Sequence, residues 1–352
     1  MRQVDAFLPE RIKNQYLYPK GLQTDIENFI AAHIDAHIHL PFQLIKKLNS
    51  NSSNIGFLED SSKYFYSIDN TIYFQSLNDD NNSIEEIDNL TFQDEIFMIS
   101  QFSEKPDIMA VNAGSITEIF NYRLKTSITL PLDPKQHLIS WISTNSTPNL
   151  LSINEEGVLQ VTDINKGESL RCEQILSFPR SISSHQTEPL VLLFGDTIQI
   201  VDLREGIALR ELTPPPGCLC AEWLPKHAFG AGIGYESGKI ELFNFETVKS
   251  VVSQDVGIGP IQQIDFYPRN GTFIMNFSSG SKIEFATLPA WGYGHFRIQG
   301  SYSKHFGNIK QMKWWKGEEN PEYLRMISSD DKSFLHLYEL ESAPLLLYNP
   351  EL

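Results

Sequence analysis

The stretch GCLCAEWLPKHAFGAGIGYESGKIELFNF, residues 217–245, contains three short segments in which apolar residues alternate with polar or small ones. The first segment ends before Pro225, and Gly238 separates the second from the third. Alternation with a period of two is the pattern of a half-buried β-strand, and glycine tolerates the positive φ of a tight hairpin turn. The stretch therefore predicts three consecutive antiparallel strands.

The same pattern recurs along the chain from about residue 53. Its most recognisable part is an alternating strand that ends in a polar residue. A more apolar strand precedes it. The alternating strands are TIYFQS ending at Ser76, TEIFN at Asn121, VLQVTD at Asp163, TIQIVD at Asp202, KIELFN at Asn244, KIEFAT at Thr287 and FLHLYE at Glu339. Their ends lie roughly 40 to 45 residues apart, with a longer last interval. The residues expected in the hairpin turns are Asn70, Gly114, Gly157, Asp196, Gly238 and Gly280.

Four short strands per unit at this period are typical of a β-propeller, whose blades surround a central channel. We therefore predict an all-β, seven-bladed propeller over residues 51–352. Residues 1–50 lack a clean period and are predicted to form an N-terminal arm that is extended or partly helical, with a short helix over residues 22–32. The segment FQLIKKLNSNSSN, residues 42–54, is predicted to run into a Ser/Asn linker before the first blade.

The chain resembles the WD-repeat family over about residues 53–345, most clearly in AFGAGIGYESGKIELFNFET and MISSDDKSFLHLYELES. It departs from the family pattern because no unit has a Trp-Asp pair and none shows a clear Gly-His start. The resemblance implies a non-enzymatic scaffold for protein-protein interactions within a larger assembly. Residues 137–244 also resemble propeller subunits of nuclear transcription assemblies, such as the factor that recruits RNA polymerase III.

Composition favours protein partners. The 352 residues include no apolar run long enough to cross a membrane, and the N-terminal residues do not resemble a signal peptide, so we expect the nucleus or the cytoplasm of a eukaryotic cell. The net charge of −16 disfavours binding to phosphate backbones, so nucleic acid is expected only indirectly. Cys172, Cys218 and Cys220 lack the spacing of a zinc site or a disulfide framework and are predicted to be structural thiols.

One pattern points to a different function. Residues 32–42, AHIDAHIHLPF, contain Asp35, His37 and His39, which match the first metal-binding strand of amidohydrolase-type enzymes. Such a site needs at least three protein ligands, and the other histidines do not end strands that feed helices. The segment 33–40 is therefore predicted to be a structural strand or helix that joins the arm to the propeller, and a metal-dependent hydrolase is the alternative. As a strand it competes with the C-terminal APLLLYNPEL to close the ring.

Two aromatic clusters are candidates for partner contacts. Trp314 and Trp315 adjoin Lys313, and alternation predicts that one indole packs between blades while the other faces outward. Trp291 and Tyr293 lie in the Gly-containing insertion LPAWGYGHFRIQG, which offers apolar area for binding. The Trp314-Trp315 cluster could also stack on nucleic acid, which makes a nucleic-acid-binding propeller a further alternative. We predict no enzymatic activity, no cofactor and no metal, and we expect the partners to be other protein subunits of a complex with a transcription, chromatin or RNA-related role.

Overall fold

The computed structural model describes residues 43–49, 54–59, 62–78, 83–102, 104–130, 136–144, 147–175, 179–185, 188–204, 207–224, 229–269, 272–289, 297–302, 305–315 and 323–341. Within these ranges the chain forms 28 β-strands in seven four-stranded antiparallel sheets. The predicted helix over residues 22–32 and the predicted C-terminal segment 343–352 lie outside the described residues.

Each sheet is one blade, and its strands are counted from the channel outward, so that the first strand is the inner one and the fourth is the outer one. The first strand, β1 (Gln43–Asn49), belongs to the last blade. Blade 1 consists of β2 (Ile55–Phe57), β3 (Lys63–Ile68), β4 (Thr71–Asn78) and β5 (Ser83–Thr91). Blade 2 consists of β6 (Ile96–Gln101), β7 (Ile108–Ala113), β8 (Ile116–Asn121) and β9 (Thr126–Leu130). Blade 3 consists of β10 (Gln136–Thr144), β11 (Thr147–Asn154), β12 (Val158–Asp163) and β13 (Glu168–Gln174).

The remaining four blades follow the same plan. Blade 4 consists of β14 (Ser181–Ser184), β15 (Leu190–Phe194), β16 (Ile198–Asp202) and β17 (Ile207–Leu212). Blade 5 consists of β18 (Cys218–Trp223), β19 (Gly230–Tyr235), β20 (Lys239–Asn244) and β21 (Lys249–Asp255). Blade 6 consists of β22 (Gln263–Arg269), β23 (Thr272–Ser279), β24 (Lys282–Pro289) and β25 (Arg297–Tyr302). Blade 7 takes β26 (Ile309–Trp314), β27 (Tyr323–Asp330) and β28 (Phe334–Glu341) from the C-terminal part of the chain.

The blades close into a ring, because β2 of blade 1 contacts β26 of blade 7. The core consists of apolar clusters between neighbouring blades, and central strands such as β15 and β19 are buried along their whole length. All seven alternating strands predicted from the sequence are the third strands of the blades, so the predicted seven-bladed all-β propeller is confirmed.

The ring is closed by β1, which pairs antiparallel with β28 from Gln43 opposite Glu339 to Asn49 opposite Phe334. Residues 43–49, part of the predicted arm, therefore form a strand of blade 7, and the propeller begins before the predicted boundary at residue 50. The closing role was predicted for residues 33–40 or for the C-terminal segment. The N-terminal part of the chain does supply the closing strand, but ten residues later than predicted.

Polar residues at the ends of the third strands organise the turns that follow. In blades 2 to 5 this residue accepts hydrogen bonds from backbone N–H groups two or three residues further on, which explains why a short polar side chain occupies the position there. The shortest of these bonds run from Leu124 N to Asn121 Oδ1 (3.0 Å), Asn165 N to Asp163 Oδ1 (2.9 Å), Arg204 N to Asp202 Oδ1 (2.8 Å) and Glu246 N to Asn244 Oδ1 (2.8 Å).

The predicted hairpins between second and third strands are confirmed at all six positions, and the named residue has a positive φ at four of them. Gly114, Gly157, Gly238 and Gly280 have positive φ values of 59°, 84°, 85° and 55°. In blade 1 the positive φ of 50° falls on Asp69 rather than on Asn70, and Asp196 of blade 4 does not adopt a positive φ. In blade 7 Ser333 takes this role with a φ of 70°.

Removal of β1 is expected to open the ring. Its pairing with β28 involves six residue pairs, and cross-strand pairs contribute about 0.2–1 kcal/mol each, so a chain that begins at residue 50 should lose about 1–6 kcal/mol of unfolding free energy. It should also aggregate, because β28 becomes an exposed edge. Urea denaturation and light scattering measure both effects. A chain that begins at Gln43 is the control and should retain its stability, and equal stability of the two chains would contradict the assignment of β1.

The turn after β20 contains a strained residue. Val248 has a φ of 54° and a side chain that is 63% exposed, whereas Gly167 has a φ of 67° at the corresponding position after β12. A β-branched residue is unfavourable in this conformation, so Val248→Gly should raise the unfolding free energy by about 0.5–1 kcal/mol. Gly167→Val should lower it, since no atom lies within 4 Å of the added Cβ and only backbone strain changes. Denaturant titrations in which both variants shift in the same direction would refute this interpretation.

Candidate interaction surface

Hydrogen bonds between inner strands join every blade to the next. Ile55 N donates to Gln311 Oε1 (2.8 Å) across the closure, and Met312 N donates to Gln263 Oε1 (3.0 Å) at the preceding junction. The other five junctions are crossed by Ile99 N to Asn54 Oδ1 (3.0 Å), Ile139 N to Met98 Sδ (3.4 Å), Ser140 Oγ to Ser184 Oγ (2.8 Å), Ser183 Oγ to Glu222 Oε1, and Cys220 Sγ to Ile261 O (3.5 Å). The inner ring is therefore a fixed platform for the loops above and below it.

Four tryptophans at the ends of inner strands contribute to the same ring. All four are buried, and each indole N–H donates a hydrogen bond to a neighbouring blade. The bonds run from Trp141 to Ser100 O (2.8 Å), from Trp223 to Ser183 O (2.8 Å), from Trp314 to Asn276 Oδ1 (2.6 Å) and from Trp315 to Glu59 O (3.3 Å). These tryptophans are therefore packing residues that also satisfy buried polar groups.

The structure corrects the expectation for Trp314 and Trp315. Their side chains do leave β26 on opposite sides, since Trp314 packs in the cluster with blade 6 and Trp315 in the cluster with blade 1. Both are nevertheless buried, at 4% and 5% exposure, because a neighbouring blade covers each face of a propeller blade. The prediction that one indole faces outward is wrong. Neither indole is therefore exposed for a nucleic-acid base to stack on it. Lys313 is exposed, as expected of a partner-contacting residue, and its role as a contact stays a prediction.

The remaining predicted site residues cannot be placed. Trp291 and Tyr293, and likewise Asp35, His37 and His39, lie outside the described residues. Within the described part of the chain, no group of three or more His, Cys, Asp or Glu side chains is arranged to hold a metal ion. Among the same residues, no helix is long and apolar enough to span a bilayer.

Two of the three cysteines can be described. Cys218 is buried and Cys220 is partly buried, and neither forms a disulfide. Burial raises the pKa of the Cys218 thiol to about 12 and also raises the pKa of Cys220. Both thiols therefore stay protonated and weakly nucleophilic at neutral pH, which agrees with the predicted structural role.

A buried polar network in blade 7 was missed by the sequence analysis. His305 lies in the connection from blade 6, and its Nδ1 is 2.9 Å from Asp330 Oδ2 while its Nε2 is 2.7 Å from Ser328 Oγ. Tyr338 Oη lies 2.9 Å from both Ser328 Oγ and His305 Nε2. The network joins the second strand, the third strand and the incoming loop, so the position of the loop is fixed by buried hydrogen bonds.

The electrostatics of this network favour an ionised carboxylate. Burial by itself raises the pKa of the Asp330 carboxyl, but hydrogen bonds from His305 and from the backbone N–H groups of Phe334 and Lys332 outweigh it and lower the pKa below its ordinary value. Burial holds the pKa of the Tyr338 hydroxyl well above its ordinary value. Asp330 is thus the charged acceptor of the network, and Tyr338 stays neutral.

Two signals in the sequence could have revealed the network. Tyr338 is the bulky residue before Glu339, the polar residue that ends the alternating segment FLHLYE, and Asp330 ends the preceding strand. His305 carried no spacing signal of its own, because it follows Lys304 rather than a glycine. His305 and Asp330 lie 25 positions apart in the sequence, so their contact is visible only in the folded structure.

The network presents an exposed phenylalanine. Phe306 follows His305 directly, is 69% exposed and lies with its ring 5.3 Å from that of the half-buried Phe334. Lys332, whose Cγ lies beside Gly307, and Lys310, which follows Phe306 by four residues in the sequence, are both exposed. We call Phe306, Phe334, Lys310 and Lys332 the Phe306 patch. The other exposed large apolar side chains among the described residues are Phe97, Leu124, Ile128, Ile207 and Val248.

The Phe306 patch lies on one defined face of the ring. Successive antiparallel strands run in opposite directions, so the loops between blades and the turns between second and third strands gather at the same end. Phe306 lies in the loop from blade 6 to blade 7, and Lys332 and Phe334 lie in and beside the turn from β27 to β28. Leu124, in the turn from β8 to β9, lies on the opposite face.

Comparison with solved structures agrees with the fold. A chain in a crystal structure of the mitotic checkpoint complex superposes with a TM-score of 0.68 at 12% sequence identity, covering 85% of this chain and 95% of that chain. At this identity the likeness shows the seven-bladed fold alone. No family model matches the sequence, and no curated protein matches it. A total of 1836 solved chains show a detectable structural likeness to this one. The likeness therefore does not by itself indicate the function of this chain.

Asp330 should make the stability of blade 7 depend on pH. Its folded pKa is lowered, so the stability that its ionised form supplies is complete above the ordinary carboxyl pKa of about 3.9 and is lost as the pH falls through the lower folded value. Asp330→Asn should lower the unfolding free energy by about 1–3 kcal/mol at neutral pH, and the difference from the unmodified chain should shrink towards pH 3.

Urea titrations at several pH values measure this dependence. Tyr338→Phe is the matched control, because it removes one hydroxyl of the same network without removing a carboxylate. It should lower stability by about 1 kcal/mol at every acidic or neutral pH. If the deficit of Asp330→Asn does not change with pH, the ionised carboxylate is not the acceptor of the network.

Proposed function

We propose that this protein is a WD-repeat-like propeller that serves as a non-enzymatic interaction subunit of a multi-protein assembly. The observation that carries the proposal is a closed ring whose blade faces are covered by their neighbours while an apolar side chain stands exposed on a loop held by buried hydrogen bonds. The structural neighbour is itself a chain of a multi-protein complex, which supports protein partners for this chain.

The setting of the assembly is part of the proposal. We infer a nuclear or cytoplasmic location in a eukaryotic cell and a role in a transcription, chromatin or RNA-related complex, in keeping with the resemblance of residues 137–244 to nuclear transcription subunits. The net charge of −16 and the burial of Trp314 and Trp315 both favour a protein rather than a nucleic acid as the direct partner. No cofactor forms part of the proposed function.

A metal-dependent hydrolase built on Asp35, His37 and His39 is the competing function. Such an enzyme needs further ligands, and the buried histidines of the described part are held by other groups. His305 lies between Asp330 and Ser328, and the Nδ1 of His185 accepts the backbone N–H of Glu188. These contacts leave the two histidines poorly suited to complete a zinc site.

Purification of the tagged chain from its own cells tests the proposal. If the protein is an assembly subunit, it should elute well above its mass of 40.1 kDa together with partners in fixed ratio, as measured by size-exclusion chromatography, mass spectrometry and crosslinking. The complex should survive nuclease treatment. A monomeric protein with stoichiometric zinc, lost in the His37→Ala, His39→Ala double variant, would refute the scaffold and support the hydrolase.

A further inference from the structure

We propose that the Phe306 patch binds an acidic segment of a partner protein in which a bulky apolar residue lies beside Asp or Glu. The inference rests on the proposed function as an interaction subunit, and it adds the location of one binding surface and the chemistry of its ligand. Three properties of the patch support it: rigidity, exposed aromatic area and local charge.

The loop that carries Phe306 is held on both sides. His305 is fixed beneath it by Asp330 and Ser328, and Asn308 donates from its backbone N and its Nδ2 to the two carboxylate oxygens of Asp331, each at 3.0 Å. Gly307 between them leaves no room for a side chain, since an added Cβ would overlap Asp331 and lie 2.6 Å from Lys332 Cγ. A loop fixed in this way loses little conformational entropy when it binds.

The exposed aromatic area is suited to a binding hot spot. Phe306 is 69% exposed, and the half-buried Phe334 supports it from the β27–β28 turn with a ring separation of 5.3 Å. A rigid aromatic side chain that is supported by a second apolar group buries a large surface on binding and loses little conformational entropy. Residues that dominate the binding energy of interfaces usually have these properties. The ligand should therefore supply an apolar side chain to cover the ring.

The charge around the ring distinguishes the ligand further. Lys310 and Lys332 are exposed, and neither forms an ion pair among the described residues. Of the two nearby carboxylates, Asp330 is buried and bonded to His305, whereas Asp331 is exposed and its hydrogen bonds from the neutral Asn308 do not cancel its charge. The patch therefore has two exposed cations against one exposed carboxylate. The rest of the chain is strongly acidic, at −16 overall, so an acidic segment is repelled from most of the surface and attracted here.

A comparison with Leu124 shows that exposed apolar area alone does not define the patch. Leu124 is also 69% exposed and has two cations beside it in sequence, Arg123 and Lys125. Arg123 is paired with Asp107 and Glu59, however, and Lys125 is paired with Asp88. Those cations are already neutralised, so Leu124 is an apolar side chain of the same fractional exposure without an unpaired positive charge beside it. It is the matched control.

Selection from a random twelve-residue peptide library displayed on phage, with the full chain as bait, tests the inference. The selected peptides should be enriched in a bulky apolar residue next to Asp or Glu. A synthetic peptide of the consensus, measured by fluorescence anisotropy, should bind at least tenfold more weakly to Phe306→Ala and to the Lys310→Glu, Lys332→Glu double variant, and more weakly as salt increases. Leu124→Ala should bind it unchanged.

Other outcomes overturn the inference without touching the proposed function. Peptides that are enriched in Lys or Arg, a library that yields no binder, or a consensus peptide that binds Phe306→Ala as tightly as the unmodified chain would each reject the acidic ligand at this patch. Thermal unfolding of each variant verifies that the ring is intact, because Phe306 is exposed and should not affect stability. The scaffold proposal fails separately, if the purified chain is found in no assembly.

Discussion

Closure of the ring is the constraint on which the rest of this structure depends. Each blade presents apolar side chains on both faces, so a blade is stable only between two neighbours. The first and last blades must therefore meet, and two sets of contacts bring them together. The inner strands are joined by Ile55 N to Gln311 and by the Trp315 indole to the carbonyl of Glu59, and β1 completes the outer side of blade 7.

This constraint determines where polar and apolar residues lie. A strand in the middle of a blade has no solvent face, which is why β15, β16 and β19 are buried along their whole length. Exposed charged residues on outer strands such as β17 and β21 protect the strand edges of the blades. Function in such a molecule must therefore be carried by loops and turns, since the blade faces are fully used in packing.

The sequence predicted the parts of the fold that depend on local spacing. Strand pairs separated by two or three turn residues form hairpins locally, so the seven third strands and most of the turns follow from alternation and glycine position alone. The closing strand does not, because QLIKKLN pairs with residues nearly three hundred positions away and carries two lysines of its own. Nothing within the segment distinguishes an outer strand from a linker.

The candidate site was harder to predict for a related reason. Alternation correctly implies that Trp314 and Trp315 point to opposite sides, but only the closed ring shows that both sides are interior. The network of His305, Ser328, Asp330 and Tyr338 joins a loop and two strands, and no segment contains more than two of its members close together.

The identity of residue 306 is not required by the fold. The network beneath the loop is satisfied by His305, and the loop above it is held by Asn308, so a polar residue between them would serve the structure equally well. A phenylalanine at this position keeps a large apolar area in water in the isolated chain, which is unfavourable unless something covers it. The Phe306 ring packs on that of Phe334, but 69% of the side chain stays exposed, so contact with a partner explains a phenylalanine here better than packing within the propeller does.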